Sequence, residues 1–202
     1  MKRVEINKIQ FKRLIDGVKY CIGKSDYRPI FQYIQIKVKT DTITACALDG
    51  YRTVRGYRAA RVEIKNTCPI DEEFTCYIKP ITVKVSKSGI NSVVIEQMGE
   101  KTFVEVATEY GVLRYGFEIP TDKFFDIEKV YADARPHDRE LDLSPRYVID
   151  AMKALNGICL FGGGKSYAVF DSKENNKEAF IIRAKNENIT NEQLILPVRL
   201  GD

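Results

Sequence analysis

A supersecondary pattern that recurs along the chain constrains its fold more than any single motif. A strand, a helix and a run of alternating strands begin near the N-terminus, and the same signals begin again near residues 74 and 144. The predicted helices start about 65 to 70 residues apart, a spacing typical of a repeated supersecondary unit. Such units predict an α+β fold of repeated strand-helix-three-strand units, in which antiparallel sheets pack beside one another with the helices on a common side.

The first unit has the clearest helix signals. A short strand at Val4–Ile6 leads to Asn7, a good N-cap residue, and apolar side chains at Phe11, Leu14, Ile15, Val18 and Ile22 then follow helical spacing. Gly23 suits the residue that ends a helix. The helix is therefore predicted to start after Asn7 and to end before Gly23.

Three strands are expected after this helix. Residues 34–39 alternate strictly between apolar and polar side chains, and a second alternating run follows the turn at Thr40-Asp41. This pattern predicts a half-buried antiparallel hairpin. A third extended run, Thr53 to Ile64, is rich in arginine and is expected to be an exposed strand.

The second unit repeats this order. Phe74–Ile78 is predicted to be a strand, and residues 93–97, 102–107 and 112–119 are predicted to form a three-stranded meander. Pro80–Ser88 is predicted to be a short helix ended by Gly89. The β-branched side chains in that segment favour extended backbone, so the alternative of a strand stays open.

The third unit opens with another strong helix start. Ser144 suits an N-cap and Pro145 the first helical position. The side chains predicted to face inward are Val148, Ile149, Met152 and Leu155, and strands are expected near Ile158, Tyr167, Phe180 and Leu194. We therefore expect residues 1–120 to form a complete domain of two units, 121–140 a connector, and 141–202 half a domain.

Composition excludes several classes of protein. With 202 residues, 44% of them hydrophobic and 30% charged, the chain can bury about 70% of its unfolded surface. It has no apolar run of the ~20 residues that a membrane helix needs, and no signal-peptide core follows its first residues. We expect a cytoplasmic protein that does not contact membranes. Its five cysteines are scattered without a Cys-x-x-Cys pair, which suggests neither a disulfide framework nor a zinc site.

The residues needed for catalysis are also missing from the sequence pattern. The only histidine, His137, cannot serve both a nucleophile relay and a metal site. The run Gly162-Gly163-Gly164-Lys165-Ser166 ends like a phosphate-binding loop, but Cys159 stands where the motif needs a glycine, and a strand is predicted to follow. We expect no enzymatic activity, no metal and no cofactor.

Three short motifs resemble one known family. From Val4 to Arg55, including the corner Asp49-Gly50-Tyr51-Arg52, the chain resembles the middle domain of the bacterial DNA sliding clamp, the beta subunit of DNA polymerase III. The ending Pro197-Val198-Arg199-Leu200 matches the Pro-x-Arg-Leu with which that family ends, although two further residues follow here. Phe117-Glu118-Ile119-Pro120 stands in place of the Phe-Pro that closes the middle domain. Order and spacing of these motifs make the match more specific than each motif alone.

The resemblance also has departures. A full-length clamp subunit has three domains of two units each, whereas this chain has room for about three units. The counterparts of the N-terminal domain and of the first half of the last domain are missing. A shortened clamp, of phage or mobile-element type, is therefore implied. Four chains would supply the number of units in a full ring, so a homo-oligomeric ring is one expectation.

The resemblance implies a processivity factor that encircles double-stranded DNA in the nucleoid and holds a DNA polymerase on it. Basic side chains on inward helices would contact phosphates loosely enough to slide. The side chains that match this role are Lys8, Lys12, Arg13, Lys19, Lys24, Arg28, Arg146 and Lys153.

The resemblance further implies a cleft that binds short partner peptides containing Gln, Leu and an aromatic residue, as carried by the polymerase and the clamp loader. An apolar pocket rimmed by polar groups suits such peptides. Its walls would be Phe31, Gly50, Tyr51, Arg52, Thr53, Pro120, Phe125, Leu194, Leu196, Pro197, Val198, Arg199 and Leu200. Thr53 replaces the aliphatic residue usual at its position.

Two other functions remain open from the sequence. A clamp-derived adaptor or decoy would bind replication proteins through the cleft without encircling DNA. A non-topological DNA-binding module would use the basic face of the first helix together with Arg55, Arg58 and Arg61. Binding to linear DNA with a steep salt dependence would distinguish this module from an unloaded clamp.

Overall fold

The structure, a computed structural model, describes residues 2–23, 28–49, 58–85, 91–127, 129, 145–159, 168–171, 180–186 and 189–195. In these ranges the α-helices are α1 (Lys8–Val18) and α2 (Pro145–Cys159), and short 3-10 helices span Lys19–Cys21 and Pro29–Gln32. The strands are β1 (Arg3–Asn7), β2 (Ile34–Val38), β3 (Thr42–Asp49), β4 (Arg58–Lys65), β5 (Phe74–Ile78), β6 (Ser92–Met98), β7 (Lys101–Thr108), β8 (Gly111–Glu118), β9 (Ala168–Asp171), β10 (Phe180–Asn186) and β11 (Ile189–Ile195).

The strands form two antiparallel sheets. The short sheet has the order β1-β6-β7-β8, and the long sheet has the order β5-β2-β3-β4-β11-β10-β9. The first two units exchange their leading strands, because β1 pairs with β6 of the second unit and β5 pairs with β2 of the first. The α+β architecture expected from the sequence is confirmed, and the exchange ties the first two units into one body.

Helix α1 begins as the sequence predicts. The Asn7 side chain accepts a hydrogen bond from the Ile9 N–H at 2.8 Å, and this bond satisfies one of the free donors at the helix start. The α-helix ends at Val18, and a 3-10 turn continues to Cys21. Gly23 lies close against Phe31, where a Cβ atom would come within 2.9 Å of the Phe31 Cβ.

A shared core joins the two sheets. Phe11, Leu14, Ile15 and Val18 of α1 are buried, and they belong to one cluster with the inward side chains of both sheets. Helix α1 packs on β3 and β4, helix α2 packs on β10 and β11, and the helices contact each other. Both helices therefore lie on the same face of the long sheet, which we call its helix face; the opposite face is the outer face.

A buried polar seam holds both helices to β11. Asn191 and Gln193 are almost fully buried on the helix face. The Gln193 Nε2 donates to the Gly17 carbonyl at 2.8 Å, and the Asn191 Nδ2 donates to the Ala154 carbonyl at 3.4 Å. Gly17 is required for close approach, because a Cβ there would lie 2.9 Å from the Asn191 Nδ2 and closer still to Val62. The seam fixes α1 and α2 relative to the junction of β4 and β11.

Three sequence predictions about helices are wrong. The described part of Pro80–Ser88, residues 80–85, is not helical, consistent with its β-branched side chains. Ile158, expected near a strand, lies within α2. Ile149 and Met152, expected to face inward, are 52% and 42% exposed, while Ala151, Ala154 and Leu155 are buried in their place. Small alanines let α2 approach the sheet closely, which rotates the larger side chains outward.

The expected strands otherwise form where the structure describes them, with β4 occupying only the later part of the predicted Thr53–Ile64 run. The exposure predicted for that run is wrong, because β4 lies inside the long sheet between β3 and β11 and its residues Ala59, Ala60, Val62 and Ile64 are buried. His137, the glycine run at 162–164 and the predicted strand position Tyr167 lie outside the described residues. The proposed domain boundaries stay a prediction, although one sheet combines strands from residues 1–120 and 141–202. None of the helices in the described ranges has the length and apolar character needed to cross a membrane.

Candidate functional site

An apolar cluster covers the outer face of the long sheet. Its buried members are Ile30, Phe31, Cys46, Leu48, Ala59, Phe124, Ile127, Ile181 and Leu194, with Tyr77 and Phe125 packed against them. Alternation along the strands explains the outward direction of the strand residues, since their neighbours on either side face α1 and α2. We call this group the outer-face cluster. It brings together three of the predicted cleft residues: Phe31, Phe125 and Leu194.

The strand register aligns two of the motif-bearing parts of the chain. On the long sheet Leu48 pairs with Ala59, and Ala59 pairs with Leu194. The next position places Asp49, Arg58 and Ile195 side by side at the ends of β3, β4 and β11. The Asp-Gly-Tyr-Arg corner follows Asp49, and the Pro-Val-Arg-Leu ending follows Ile195. Both segments therefore leave the sheet at the same end, next to the outer-face cluster.

Aromatic rings lie along one margin of the cluster, where Phe31 and Phe124 are buried and Tyr77 and Phe125 are half-buried. The rings of Phe31 and Phe125 stack with their centroids 5.5 Å apart, and the Arg28 guanidinium lies 5.8 Å from the first ring and 5.9 Å from the second. A cation over two ring faces is attracted by their electron density. Tyr77 and Phe124 make a second, tilted ring pair at 5.8 Å. Arg28, predicted to contact DNA, is thereby grouped with the cleft residues.

Most of the other predicted cleft residues fall outside the described ranges. These are Gly50, Tyr51, Arg52, Thr53, Leu196, Pro197, Val198, Arg199 and Leu200. Pro120 is described, half-buried just after β8, but it does not belong to the outer-face cluster. The complete cleft therefore stays a prediction.

The sequence analysis missed several members of the outer-face cluster. Phe124 and Ile127 are buried, although they lie in a segment with no periodic pattern. Their signal was the pair Phe124-Phe125 in an otherwise charged stretch, because apolar rings in a connector gain free energy when they dock on a sheet. Ile30 has a similar signal, an apolar residue directly before Phe31. Tyr77 could not be predicted in this way, because the sequence of a strand does not show which face of the sheet a given side chain covers.

The exposed side of α1 carries fewer free positive charges than predicted. Asp16 binds both Lys12 and Lys19, the latter at 2.8 Å. Partial burial alone would raise the pKa of Asp16, but the hydrogen bonds from the two lysines outweigh it and leave the pKa below its ordinary value. Burial alone would lower the pKa of Lys19, but the hydrogen bond to Asp16 and the attraction of its charge outweigh burial, so the pKa of Lys19 is raised. The Asp16 carboxylate thus partly neutralises the charges of Lys12 and Lys19, two of the side chains predicted to contact phosphates.

Lys8 is not part of a basic surface. It is only 3% exposed, and its Nζ donates to the backbone carbonyl of Ala107 on β7. The prediction is wrong because α1 sits between the two sheets at its first turn, where the long lysine stem is buried and its amine satisfies a carbonyl. Arg13 is half-buried, and Lys24 lies outside the described residues.

The exposed side of α2 mixes basic and apolar side chains. Arg146 and Lys153 are exposed, as a DNA-facing surface requires. Ile149 and Met152 lie exposed on the same helix. Because the two helices share one face of the long sheet, Lys12, Lys19, Arg146 and Lys153 are carried on that common side.

Arg61, which the alternative DNA-binding module would use, has a structural partner. Its guanidinium pairs with the Glu192 carboxylate across the β4–β11 junction, with Nε to Oε2 at 2.8 Å. Glu192 is 7% exposed. A partly buried pair of this kind ties two strands together and is poorly placed to exchange its carboxylate for a phosphate.

No family model matches the chain, and no curated protein matches it by sequence. The DNA polymerase III beta subunit of Pseudomonas aeruginosa matches the structure with a TM-score of 0.71 at 13% identity, over 99% of this chain and 67% of that one. The DNA polymerase sliding clamp of Bacillus subtilis matches with a TM-score of 0.67 at 17% identity, over 98% and 64%. The beta subunit of Borrelia burgdorferi matches with a TM-score of 0.66 at 12% identity, over 100% and 65%.

The chain thus spans about two thirds of the length of these clamps. At such identities a structural likeness establishes the fold. The resemblance drawn from the sequence motifs is confirmed at this level: this chain has the fold of the DNA polymerase III beta sliding clamps.

Proposed function

We propose that this chain is a shortened sliding clamp, a processivity factor without enzymatic activity that holds a DNA polymerase on duplex DNA. In this proposal the polymerase and the clamp loader bind the outer-face cluster through short peptides. The basic side chains of α1 and α2 face the duplex. The clamp fold supports the general type, and the arrangement of the outer face supports the peptide site.

One observation carries the proposal. Phe31, Phe125 and Leu194 meet in one cluster at the end of the sheet where β3 and β11 lead into the two motif segments. These parts are far apart in the sequence, and closure of the sheet alone does not require two stacked aromatic rings beneath an arginine. An apolar groove with a few polar groups is the arrangement that short anchored peptides recognise.

The chemistry of the groove suggests the peptide's anchors. The flat rings of Phe31 and Phe125 suit an aromatic side chain that stacks at their edge. The cluster beneath these rings is aliphatic, with Leu48 and Leu194 buried in it, and its apolar character suits a leucine anchor. A Gln-Leu-Phe-type peptide therefore matches both the apolar floor and the aromatic margin.

Fluorescence anisotropy with a labelled Gln-Leu-Phe-type peptide tests this site. We expect micromolar binding by the intact chain and at least tenfold weaker binding, about 1.4 kcal/mol, by Phe125→Ala. Phe103→Ala is the matched control. Phe103 is also half-buried, and the Arg114 guanidinium lies 4.2 Å from the centroid of its ring, but Phe103 belongs to the short sheet. Thermal melts of both variants establish that each is folded.

Two results would contradict the peptide site. One is the absence of binding by the intact chain. The other is an equal loss of affinity in both phenylalanine variants, since that would place the peptide elsewhere or indicate a general loss of stability. Removal of residues 196–202 gives an independent check, because the proposal requires the chain terminus as one wall of the cleft.

The adaptor is the second candidate function, and the helix surface favours it. Asp16 occupies Lys12 and Lys19, Lys8 is buried, and Ile149 and Met152 are exposed on α2. A surface of this kind offers duplex DNA fewer phosphate contacts than a uniformly basic one. The adaptor would bind partner peptides through the same outer-face cluster but would not encircle DNA.

Retention on DNA distinguishes the two candidates. A clamp loaded by its partner loader stays on nicked circular duplex at moderate salt and slides off after linearisation, because topology holds it. An adaptor is retained on neither form while its peptide affinity is unchanged. Strong retention on linear duplex that falls steeply with salt would contradict both and favour direct DNA binding.

A further inference from the structure

A groove follows the open edge of β1 in the short sheet. Strand β1 pairs with β6 on one side, and none of the described strands pairs with its other side. A cavity of about 480 Å³ lies along this edge, a volume within the range of ligand sites. Its lining consists of Arg3–Asn7 of β1, of Cys68, Pro69 and Asp71, and of Asn91 and Ser92. We call this cavity the β1 groove.

The hydrogen bonds of β1 show which of its backbone groups point into the groove. On the β6 side, the carbonyl of Lys2 accepts a hydrogen bond and the N–H of Lys8 donates one, both at 2.8 Å. Residues of an antiparallel strand alternate in the side to which their N–H and C=O groups point. The even-numbered residues therefore bond to β6, whereas Arg3, Glu5 and Asn7 direct their N–H groups to the β1 groove.

The chain segment across the groove is bonded elsewhere. The Asn66 side chain donates to the Lys39 carbonyl at 2.9 Å and accepts from the Cys68 N–H at 3.0 Å. The Asn66 N–H donates to the Asp41 carbonyl at 2.8 Å. Pro69 has no N–H to donate. These bonds tie the segment to the turn between β2 and β3, so it borders the groove without adding a strand to β1.

Asn91 adds an unpaired acceptor to the groove. Its Oδ1 is buried and accepts no hydrogen bond from the part of the chain that the structure describes. A buried acceptor without a donor is unfavourable, so a ligand that brings N–H groups is favoured here. Together with the backbone of β1, the groove offers both donors and acceptors, and an extended peptide carries both.

We propose that the β1 groove binds an extended segment of a partner protein, which joins the short sheet as a strand antiparallel to β1. In strand addition of this kind, main-chain hydrogen bonds supply affinity and alternate side chains supply specificity. The antiparallel direction continues that of the whole short sheet. The inference concerns a different sheet from the outer-face cluster and does not depend on the proposed function.

The side chains of β1 define the partner sequence. Arg3 and Glu5 are exposed, and neither belongs to an ion pair among the described residues. Opposite charges on facing residues of neighbouring strands are favourable, so an acidic residue suits the place opposite Arg3 and a basic one the place opposite Glu5. The residue between them lies opposite Val4 and is apolar, because Val4 faces the shared core. Along an antiparallel strand, this order reads basic-apolar-acidic.

A labelled peptide of sequence Ser-Val-Lys-Val-Glu-Ser, titrated against the full chain by fluorescence anisotropy, tests the proposal. The charge-reversed peptide Ser-Val-Glu-Val-Lys-Ser should bind roughly tenfold or more weakly, since two facing pairs become repulsive. The double variant Arg3→Glu/Glu5→Arg should reverse this preference. The matched control is Lys101→Glu/Glu118→Lys, the same kind of exchange at exposed residues of β7 and β8, which should leave both affinities unchanged.

Methylation of the peptide backbone tests the strand pairing itself. The peptide residues that face Glu5 and Arg3 exchange hydrogen bonds with β1, so methylating the lysine nitrogen removes one bond and should abolish binding. Methylating the valine nitrogen between lysine and glutamate is the matched control, because that N–H points away from β1. Hydrogen exchange of the complex should slow at the Glu5 N–H and stay unchanged at the Val4 N–H, which already faces β6.

Four results would overturn the proposal. These are no binding of the first peptide at millimolar concentration, equal affinities for the two charge orders, equal effects of the two methylations, and displacement of the peptide by an excess of the Gln-Leu-Phe-type peptide. The last result would place the peptide at the outer-face cluster. Because Arg3 and Glu5 are exposed, thermal melts of their double variant should match those of the wild type.

Discussion

The backbone carbonyl of Gly17, in the last turn of α1, accepts a hydrogen bond from the Nε2 of Gln193 in β11 at 2.8 Å. The two residues belong to the first and the third unit of the chain. Gly17 has no side chain to hold the strand away, and Gln193 is 1% exposed. This contact places the first helix directly over the junction at which the two units share a sheet.

We expect Gly17→Ala to destabilise the chain by about 1–3 kcal/mol, because the added methyl must displace Val62 or Asn191 in a packed interface. Urea unfolding monitored by circular dichroism measures the change. The double variant Gly17→Ala/Val62→Ala makes room for the methyl and should cost less than the sum of its single variants. Additive costs would indicate that α1 does not pack on β4 as closely as described.

We expect Glu192→Gln to lower the free energy of unfolding by about 1–3 kcal/mol, because it removes the charge of the Glu192 carboxylate that pairs with the partly buried Arg61 guanidinium. Replacing both residues by leucine removes the charges together and should recover most of the loss. Chemical denaturation of the wild type and the two variants gives the comparison. An unchanged stability in Glu192→Gln would show that the ion pair does not tie β4 to β11.

We expect Asp16→Asn to strengthen binding of short duplex DNA by roughly two- to fivefold at low salt, because it releases Lys12 and Lys19 for phosphates. Titration at several salt concentrations should also give a steeper salt dependence. Glu72→Gln, which removes one carboxylate charge from an exposed residue between β4 and β5, serves as the matched control. Equal affinities for wild type and Asp16→Asn would indicate that this side of α1 does not meet DNA.

The same variant should show a pH-dependent loss of stability. The folded chain lowers the pKa of Asp16, so the carboxylate stabilises the fold above the ordinary carboxyl value of 3.8, and this contribution is lost as the pH falls through the lower folded value. At neutral pH we expect Asp16→Asn to cost about 0.3–0.5 kcal/mol, the size of exposed helix ion pairs. Unfolding at pH 7 and below pH 3.8 measures it, and a difference that persists in acid would contradict the assignment.

We expect Cys76 to resist alkylation in the folded chain. It is fully buried, and burial raises the pKa of its thiol to about 12, so the reactive thiolate is rare at neutral pH. Labelling followed by peptide mass spectrometry should find the half-buried Cys68 modified first, and Cys76 modified only as the chain unfolds. Early modification of Cys76 in folded protein would contradict its position in the core.

Local signals made much of the fold predictable. Asn7 as an N-cap and the alternation in β2 and β3 depend on neighbouring residues, and both predictions are confirmed. The helix expected in Pro80–Ser88 is absent from its described residues, 80–85, because their β-branched side chains favour extended backbone whatever the position in the repeat. The inward placement of Ile149 and Met152 was wrong because helical spacing gives two possible faces, and the alanines Ala151 and Ala154 fit the close contact better.

The candidate site was predictable in its chemistry and only in part in its membership. Motif resemblance indicated Phe31, Phe125 and Leu194, and the outer-face cluster unites them. No local pattern indicated that Arg28 would lie over the rings of Phe31 and Phe125, or that Lys8 would be buried. Both depend on segments that are distant in the sequence and meet only when the sheets pack.

The sequence by itself determined where most strands and both helices form, because capping, alternation and turn residues act over a few neighbouring positions. The tertiary structure alone decided that β1 pairs with β6 of the second unit, that β5 pairs with β2 of the first, and that β4 meets β11. Strand pairing joins backbone groups that are the same in every residue, so the sequence of one strand does not specify its partner. The choice of partner follows from which apolar faces can be buried together, and that is settled only by the packing of the whole chain.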